Sequence, residues 1–267
     1  MTSTAALTIP GAKVVVTGAA SGIGAALAGR LTAEGARVLI NDTDAAALAA
    51  VAEKLGVDQL AGDASDPASV QLLVDTAIRA MGGVDLFCAN AGVAQPGSLD
   101  PQPWELAWQV NVMAHVHAAR CLLPGWLAAG RGRFLATVSA AGLLTMLGNA
   151  QYSATKHAAL AFAEWLRMTY AHRGVTVQAL CPQGVSTPLL ARADPRSAAI
   201  LSQGTISADA VADAVLLALS GDEFLILPHP EVAEYAANRA ADRDRWLASM
   251  NRLQQRLEDT IPVDGEL

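Results

Sequence analysis

The sequence predicts a single α/β domain of the Rossmann type, a doubly wound parallel sheet of about seven strands with helices on both faces. Three observations lead to this prediction. Short apolar, β-branched runs alternate with longer segments of helical spacing, the runs have no polar face, and no break in composition marks a second domain. Strands that are apolar on both faces need cover on both sides, and helices connecting parallel strands supply it.

The strands are predicted from seven apolar runs, and the segments between them are predicted helices. The runs are KVVVT at 13–17, ARVLIN at 36–41, VDQLAG at 57–62, VDLFCAN at 84–90, GRFLATVS at 132–139, VTVQALCP at 175–182 and EFLILP at 223–228. Capping residues precede two of the helices, with Ser65 or Asp66 before Pro67 and Ser207 before Ala208. The stretch 194–204, which contains Pro, Ser and Gly, is predicted to be a mobile loop.

The single domain is predicted over residues 1–267, with a core at about 10–228 and a long, charged C-terminal helix at about 231–258. Trp246, Met250, Leu253 and Leu257 recur at spacings of three and four, so they form an apolar stripe on this helix. Such a helix could fold back on its own subunit or lie across a neighbour. We favour a contact in a homo-oligomer, a dimer or tetramer.

The composition excludes several classes of partner. There are 18 Lys and Arg against 25 Asp and Glu, a formal net charge of −7 without a basic run, so nucleic acid is not expected. The three cysteines and five histidines show no metal-ligand spacing, and no metal is predicted. No secretion signal and no apolar run of membrane-spanning length is found, so no membrane contact and a cytoplasmic location are expected.

A glycine-rich segment, TGAASGIG from Thr17 to Gly24, follows the first predicted strand and opens the first predicted helix. Glycines let the backbone turn tightly and approach a ligand, while the N–H groups and positive dipole end of a helix attract phosphate. In this strand–turn–helix context the pyrophosphate of a dinucleotide fits. The segment lacks GK[ST], which disfavours a P-loop kinase or ATPase. An ordinary turn with incidental glycines is the simpler alternative.

Asp42 stands at the carboxyl end of the second predicted strand, eighteen residues beyond Gly24. A carboxylate there can accept hydrogen bonds from an adenosine ribose and would repel a 2′-phosphate. NAD is therefore favoured over NADP as the cofactor. The alternative is that Asp42 caps the helix that begins near Asp44.

Tyr152 and Lys156 are separated by one helical turn in the segment QYSATKHAAL, 151–160. Residues at i and i+4 project from the same face of a helix, so the ammonium would lie near the phenol and could lower its pKa. Alternatively, Tyr152 covers the edge of the core while Lys156 extends to solvent.

The ordered set of motifs resembles the short-chain dehydrogenase/reductase family over roughly residues 10–228. The matching elements follow the family's order along the chain. They are TGAASGIG at 17–24, Asp63, NAG at 90–92, Asn111, Ser139, YSATK at 152–156 and CPQGVSTP at 181–188.

The resemblance implies an oxidoreductase with Tyr152 as the acid and base, Lys156 lowering its pKa and binding the nicotinamide ribose, and Ser139 holding the substrate oxygen. It implies that Asn111 holds a water that links Lys156 to solvent. Asp63 and Ala64 would bind the adenine, and Thr187 would bind the nicotinamide carboxamide. The remaining residues implied to contact the cofactor are Gly18, Ser21, Gly22, Ile23, Gly24, Asp42, Asn90, Ala91 and Gly92.

The substrate is predicted from the two segments that form pockets in this fold. They read GLLTMLGNA at 142–150 and VSTPLLARA at 185–193, with no Arg or Lys before Arg192. A hydrophobic secondary alcohol or its ketone is therefore favoured over a carboxylate or phosphorylated compound.

Two other functions stay open at this point. A 3-hydroxyacyl or 3-oxoacyl thioester oxidoreductase would share the catalytic residues but should have a basic entrance. A regulator that senses NAD without turnover is the other, although such a protein has no need to keep Ser139, Tyr152 and Lys156 together.

Overall fold

The computed structural model describes residues 6–202 and 204–261. Residues 1–5, 203 and 262–267, which belong to the predicted domain of 1–267, lie outside the described part of the chain. The single-domain boundaries stay a prediction.

The fold centres on a parallel sheet of seven strands, in the order β3-β2-β1-β4-β5-β6-β9. All seven predicted strands are confirmed, with ends shifted by a few residues. Their bounds are β1 Lys13–Thr17, β2 Arg37–Asp42, β3 Asp58–Ala61, β4 Leu86–Ala89, β5 Gly132–Thr137, β6 Val175–Leu180 and β9 Leu225–Ile226. Two short strands that the sequence analysis missed, β7 Val185–Ser186 and β8 Ile206–Ser207, pair with each other.

Twelve α-helices surround and extend this sheet within residues 6–202 and 204–261. They are α1 Gly22–Ala33, α2 Ala45–Leu55, α3 Pro67–Met81, α4 Pro101–Trp108, α5 Ala114–Ala129, α6 Ala141–Leu144, α7 Ala150–Tyr170, α8 Pro188–Ala191, α9 Pro195–Leu201, α10 Ala208–Leu219, α11 Glu231–Ala241 and α12 Arg243–Thr260. A π-helical turn, Gln109–Met113, joins α4 to α5, and a 3₁₀ turn, Ala171–Arg173, follows α7.

The helices lie against both faces of the sheet, and each face has its own apolar core. Alternate residues of one strand point to opposite faces, as Val15 and Val16 of β1 show by belonging to different cores. One core packs α3, α5 and α7 against the sheet, and the other packs α1, α2 and α10. The Rossmann-type architecture is therefore confirmed.

The order of the strands determines where a ligand can bind. The chain runs outward from β1 to β3 on one side, and β4 then returns to the other side of β1. Loops that leave neighbouring strands in opposite directions open a crevice at the carboxyl ends of β1 and β4. The glycine-rich turn and the NAG segment, 90–92, follow these two strands.

Two predictions about the second half of the chain are wrong. The stretch 194–204 contains α9, because the Asp194 carboxylate accepts from the N–H groups of Arg196 and Ser197 and Pro195 begins the helix. The predicted long C-terminal helix is two helices, because the chain leaves the helical conformation at Asp242, which then caps α12.

No helix among the described residues is long and apolar enough to cross a bilayer.

Candidate active site

A large cleft of about 1180 Å³ lies over the carboxyl ends of the strands. It extends from Asp42 and Asp63 at one end, past the glycine-rich turn, to Ser139, Tyr152 and the C-terminal helices. This volume exceeds the roughly 300–1,000 Å³ usual for one small ligand, which fits a site for two molecules side by side.

The glycine-rich turn needs glycine for steric reasons. Gly18 has a φ of +65°, and a Cβ there would lie 2.8 Å from the Cα of Ala91. A Cβ at Gly24 would collide with the carbonyl oxygen of Gly18. Ser21 precedes α1 without a side-chain capping bond, so the first N–H groups of this helix are available to a ligand in the cleft. Ser21, Gly22 and Ile23 line the cleft beside Gly18.

Asn90 holds together the ends of three strands. Its Nδ2 donates to the carbonyl oxygens of Thr17, at 3.0 Å, and Gly18, at 3.2 Å, while its Oδ1 accepts from the Thr137 hydroxyl at 3.1 Å. The Thr17 hydroxyl in turn accepts from the N–H groups of Asn90 and Ala91. These bonds fix the floor of the cleft, where Asn90, Ala91 and Gly92 are exposed to a bound ligand.

Two carboxylates stand at the far end of the cleft. Asp42 Oδ2 accepts from the N–H of Ala20 at 3.0 Å, which ties the end of β2 to the glycine-rich turn. The cap of α2 is Asp44, whose carboxylate accepts from Ala47, so Asp42 is not the capping residue. Asp63 accepts from the backbone and hydroxyl of Ser65, and both Asp63 and the buried Ala64 line the cleft.

Tyr152 lies in the first turn of α7, where the side chain of Asn149 caps the helix by accepting from the N–H of Tyr152 at 3.0 Å. Lys156 projects from the next turn, and its Nζ lies 5.5 Å from the centre of the Tyr152 ring. The predicted pair therefore exists, and both side chains line the cleft. The alternative in which Lys156 extends to bulk solvent is wrong, because its side chain is buried.

Ser139 follows the end of β5 in a strained conformation, with a φ of 133°. Its Oγ accepts from the N–H of Ala141 at 3.1 Å and donates to the carbonyl of Pro182 at 3.4 Å. In this conformation the Ser139 hydroxyl lies beside Tyr152 in the cleft. Burial raises the pKa of the Tyr152 phenol, while a hydrogen bond with Ser139 acts in the opposite direction and lowers it.

This pKa differs from the one the sequence suggested. The charge of Lys156 alone predicts a lowered phenol pKa, whereas loss of solvent around the phenol raises this pKa in the folded protein. Burial also lowers the pKa of Lys156 to about 8. Lys156 is thus still mostly cationic at neutral pH, within reach of the phenol.

Asn111 lies in the π-helical turn between α4 and α5, a local irregularity often found at functional sites. Its side chain accepts from the N–H of Val93 at 2.9 Å and donates to the Val93 carbonyl at 2.9 Å and to the Thr155 hydroxyl at 3.1 Å. Asn111 is fully buried and fixes the segment after β4 against α7. The predicted role in holding a water stays a proposal.

Thr187 caps α8 and lies over the glycine-rich turn. Its hydroxyl accepts from the N–H of Leu190 at 3.3 Å and donates to the carbonyl of Val185 at 3.1 Å. Its methyl group lies 3.0 Å from the place a Cβ would take at Gly22. The predicted contact of Thr187 with a carboxamide stays a proposal.

The sequence analysis missed several residues that organise the site. The carbonyl oxygen of Thr137 accepts a hydrogen bond from Lys156 Nζ at 3.0 Å, and the Thr155 hydroxyl accepts one from the Asn111 amide. Asn149 could have been found, because Asn three positions before Tyr152 is a helix-capping signal.

The stripe residues Trp246, Met250 and Leu253 line the cleft of their own chain, so the C-terminal helix folds back on its own subunit, which is the first of the two arrangements considered. Contact of this stripe with a second chain stays a prediction.

Comparison with known proteins agrees with this geometry. A family model described as short chain dehydrogenase matches residues 12–198. The chain belongs to the short-chain dehydrogenase family. The 1-deoxy-11-beta-hydroxypentalenate dehydrogenase of Streptomyces avermitilis is 40% identical over 246 residues, covering 88% of this chain and 90% of the relative. The D-beta-hydroxybutyrate dehydrogenase of Cupriavidus necator is 31% identical over 188 residues, covering 67% of this chain and 73% of the relative.

Two solved structures superpose on most of this chain. A short chain dehydrogenase/reductase from Burkholderia phymatum in complex with NAD has a TM-score of 0.83 at 29% identity, covering 89% of this chain and 96% of the other. The 3-ketoacyl-(acyl-carrier-protein) reductase from Brucella melitensis complexed with NADH has a TM-score of 0.77 at 25% identity, covering 82% and 97%.

Proposed function

We propose that this chain is an NAD(H)-dependent oxidoreductase that interconverts a hydrophobic secondary alcohol and its ketone, with Tyr152 as the acid and base. One observation carries the proposal. Ser139, Tyr152 and Lys156 lie in the same cleft as the glycine-rich turn, and the cleft is large enough for a dinucleotide and a second molecule.

The residues along the cleft fit a dinucleotide. Gly18 and Gly24 leave room that side chains would fill, and the uncapped start of α1 can receive a pyrophosphate. At the end of β2, Asp42 lines the cleft, where its carboxylate would also bind ribose hydroxyls and repel the 2′-phosphate of NADP. The NAD and NADH named for two related structures support the same choice.

The catalytic residues would move one proton at the substrate oxygen. When bound, NAD supplies the nicotinamide that accepts or returns a hydride. Tyr152 takes the proton of the alcohol on oxidation and returns it to the carbonyl oxygen on reduction. Ser139 donates a hydrogen bond to the same oxygen and holds it in place, an oxyanion-type role.

Lys156 and Asn111 support Tyr152. Burial favours the neutral phenol, so the enzyme holds the acid needed for reduction at neutral pH. The nearby ammonium of Lys156 favours the phenolate during oxidation. Lys156 also binds the nicotinamide ribose in this proposal. Asn111 positions the segment after β4 through its hydrogen bonds to Val93, and it holds a water for proton exchange.

The lining of the cleft favours an apolar substrate. Among the described residues that line it, Lys156 and Arg192 are the cations. Lys156 is buried and Arg192 is exposed, and the carboxylates of Asp194 and Glu231 line the same cleft. A phosphorylated thioester finds no basic entrance here. Relatives named as dehydrogenases of hydroxylated compounds support an alcohol substrate.

The test is turnover by the purified protein. It is incubated with NAD⁺ or NADP⁺ and a panel of apolar secondary alcohols and acyl thioesters, and the absorbance of the reduced cofactor is followed. We expect turnover with NAD⁺ and the alcohols, and a loss of roughly 10²–10⁴-fold or more in Tyr152→Phe. Near-normal turnover by this variant would contradict the role of Tyr152. Cofactor binding without any turnover would favour the regulator.

We also propose an assembly and a location for the protein. A homo-oligomer, dimer or tetramer, accords with the exposed aromatic residues Trp108 on α4 and Trp165 on α7. Light scattering of the purified protein measures the subunit number. The cytoplasm is the proposed location, on the sequence argument alone.

A further inference from the structure

The C-terminal helix α12 presents its apolar stripe to the cleft. Trp246, Met250 and Leu253 are half-buried and line the cleft that contains Tyr152, whereas Leu247 on another face of the helix is 56% exposed. No residue of α12 is fully buried. The stripe therefore does not belong to either apolar core of the sheet.

The helix is fixed at both ends and spans the opening between them. At its start, the Trp246 ring lies 6.4 Å from the ring of Tyr235 on α11. At its end, the carbonyl of Ile261 accepts from Arg196 Nε of α9 at 3.0 Å. Helix α11 is itself anchored by the fully buried Val232. Helix α12 thus connects α11 to α9, and its stripe lines the same cleft as Tyr152.

Three apolar walls line this cleft. The first comes from the segment after β5, the second from α8 and α9, and the third from the C-terminal helices. Their lining residues are Leu144, Met146 and Leu147, then Leu189, Leu190, Ile200 and Leu201, then Tyr235, Trp246, Met250 and Leu253. A small alcohol held at Ser139 and Tyr152 would leave the third wall without a contact.

We propose that the α12 stripe is the outer wall of the substrate site and that it selects a bulky apolar alcohol or ketone, with at least two fused rings. This inference rests on the proposed function. The stripe lines a concave cleft continuous with Tyr152, a shape that a small molecule fills and the flat face of a second protein does not. Contact with the stripe would bury apolar surface equally in the bound substrate and the transition state, so it would lower KM and leave kcat unchanged.

The test compares a two-ring and a small substrate. We measure kcat and KM of the full chain with NAD⁺ for decahydro-2-naphthol and for 2-butanol, in the wild type, Trp246→Ala and Met250→Ala. Leu247→Ala is the matched control, because Leu247 lies on the same helix and outside the cleft. We expect KM for the two-ring alcohol to rise roughly tenfold in Trp246→Ala. The kcat for that alcohol and both constants for 2-butanol should stay within about twofold.

Further measurements separate the possible failures. Trp246→Phe keeps an aromatic ring and should retain most of the affinity, which distinguishes a lost contact from a misfolded tail. If the ratio of the two KM values is the same in Trp246→Ala and wild type, the inference is wrong and the proposed function stands. If the wild type turns over no alcohol, the proposed function fails. Calorimetric binding of decahydro-2-naphthol then decides the inference, since equal affinity in wild type and Trp246→Ala would overturn it.

Discussion

Lys156 Nζ donates a hydrogen bond to the carbonyl oxygen of Thr137 across 3.0 Å. The last residue of β5 thereby holds the ammonium against the end of the sheet, on the side of α7 that carries Tyr152. Asn90 accepts from the hydroxyl of the same threonine, so one residue links the catalytic pair to the floor of the cleft.

Replacing Lys156 should separate activity from stability. Burial lowers its pKa from 10.5 to about 8, so between these values the unfolded chain binds the proton more tightly and folding stability rises with pH. Below pH 8 the folded protein carries the full cost of a buried charge. We expect Lys156→Met to unfold with a free energy at pH 7 equal to wild type or higher by roughly 1–3 kcal/mol.

The same variant should lose activity by roughly 10²-fold, because the phenolate loses its neighbouring cation. Denaturant titration and steady-state kinetics measure the two effects, with Lys54→Met on α2 as the control. A Lys156→Met protein that is both less stable and fully active would contradict the assignment.

Removing the Ser139 hydroxyl should shift the pH dependence of oxidation. Its hydrogen bond lowers a phenol pKa that burial raises, so its loss leaves the raised pKa uncompensated. We expect the rise of kcat/KM for alcohol oxidation to move to higher pH in Ser139→Ala, with a rate loss of roughly 10²–10³-fold. An unchanged pH profile would mean that Ser139 does not act on Tyr152.

Glycine at position 139 provides a matched comparison. Ser139→Gly also lacks the hydroxyl and should lose as much activity, but glycine tolerates the φ of 133° without strain. We expect Ser139→Gly to be more stable than Ser139→Ala by about 1 kcal/mol in urea unfolding. Equal stabilities would show that the backbone relaxes after the serine is removed.

Adding one methyl group to the glycine-rich turn should abolish cofactor binding. A Cβ at Gly24 would strike the carbonyl of Gly18, so Gly24→Ala must distort the turn. Gly29, on the same helix, would meet only the Leu55 side chain, at 3.5 Å. We expect NADH fluorescence to show no binding to Gly24→Ala and normal binding to Gly29→Ala. The latter should also be more stable by up to about 1 kcal/mol.

His115 should make the protein sensitive to acid. It is buried, neither ring nitrogen has a hydrogen-bond partner among the described residues, and burial followed by the charge of Lys156 lowers its pKa to about 3. Between pH 6.5 and 3 the unfolded chain binds a proton that the folded chain does not. This group therefore costs no stability above pH 6.5. Between pH 6.5 and 3 it should lower the free energy of unfolding by about 1.4 kcal/mol for each pH unit of acidification.

The check for His115 is urea unfolding at pH 7 and pH 5. His115→Leu should lose less stability between the two values than wild type, while the exposed His172→Gln should behave as wild type does. Equal losses in His115→Leu and wild type would assign the acid sensitivity to other groups.

Local patterns in the sequence predicted most of the fold and the reacting pair. Apolar runs predicted the strands because those buried on both faces, such as β1 and β4, are apolar at most positions. Tyr152 and Lys156 share a helix face by spacing alone. The bonds of Thr137 and Thr155 were not predicted, because they join residues far apart in sequence and no local pattern records the partner.

The C-terminal segment shows a second reason why the sequence did not predict the whole site. Its apolar stripe was visible from the spacing of Trp246, Met250 and Leu253, yet an amphipathic face does not identify the surface that it covers. The break at Asp242 was missed because a single Asp is compatible with a continuous charged helix as well as with a cap. The pKa of Tyr152 was misjudged since burial, which opposes the effect of a neighbouring charge, depends on the folded chain.

The position of α12 has a consequence for the divergence of selectivity. The family model matches residues 12–198, whereas α11 begins at Glu231 and α12 at Arg243. The proton-transfer residues and the proposed outer wall are thus encoded in separate stretches of the gene, and the contact between Arg196 and Ile261 joins the two. If the stretch that contains α11 and α12 were exchanged between homologues, the substrate preference should change while the reaction centre stays the same.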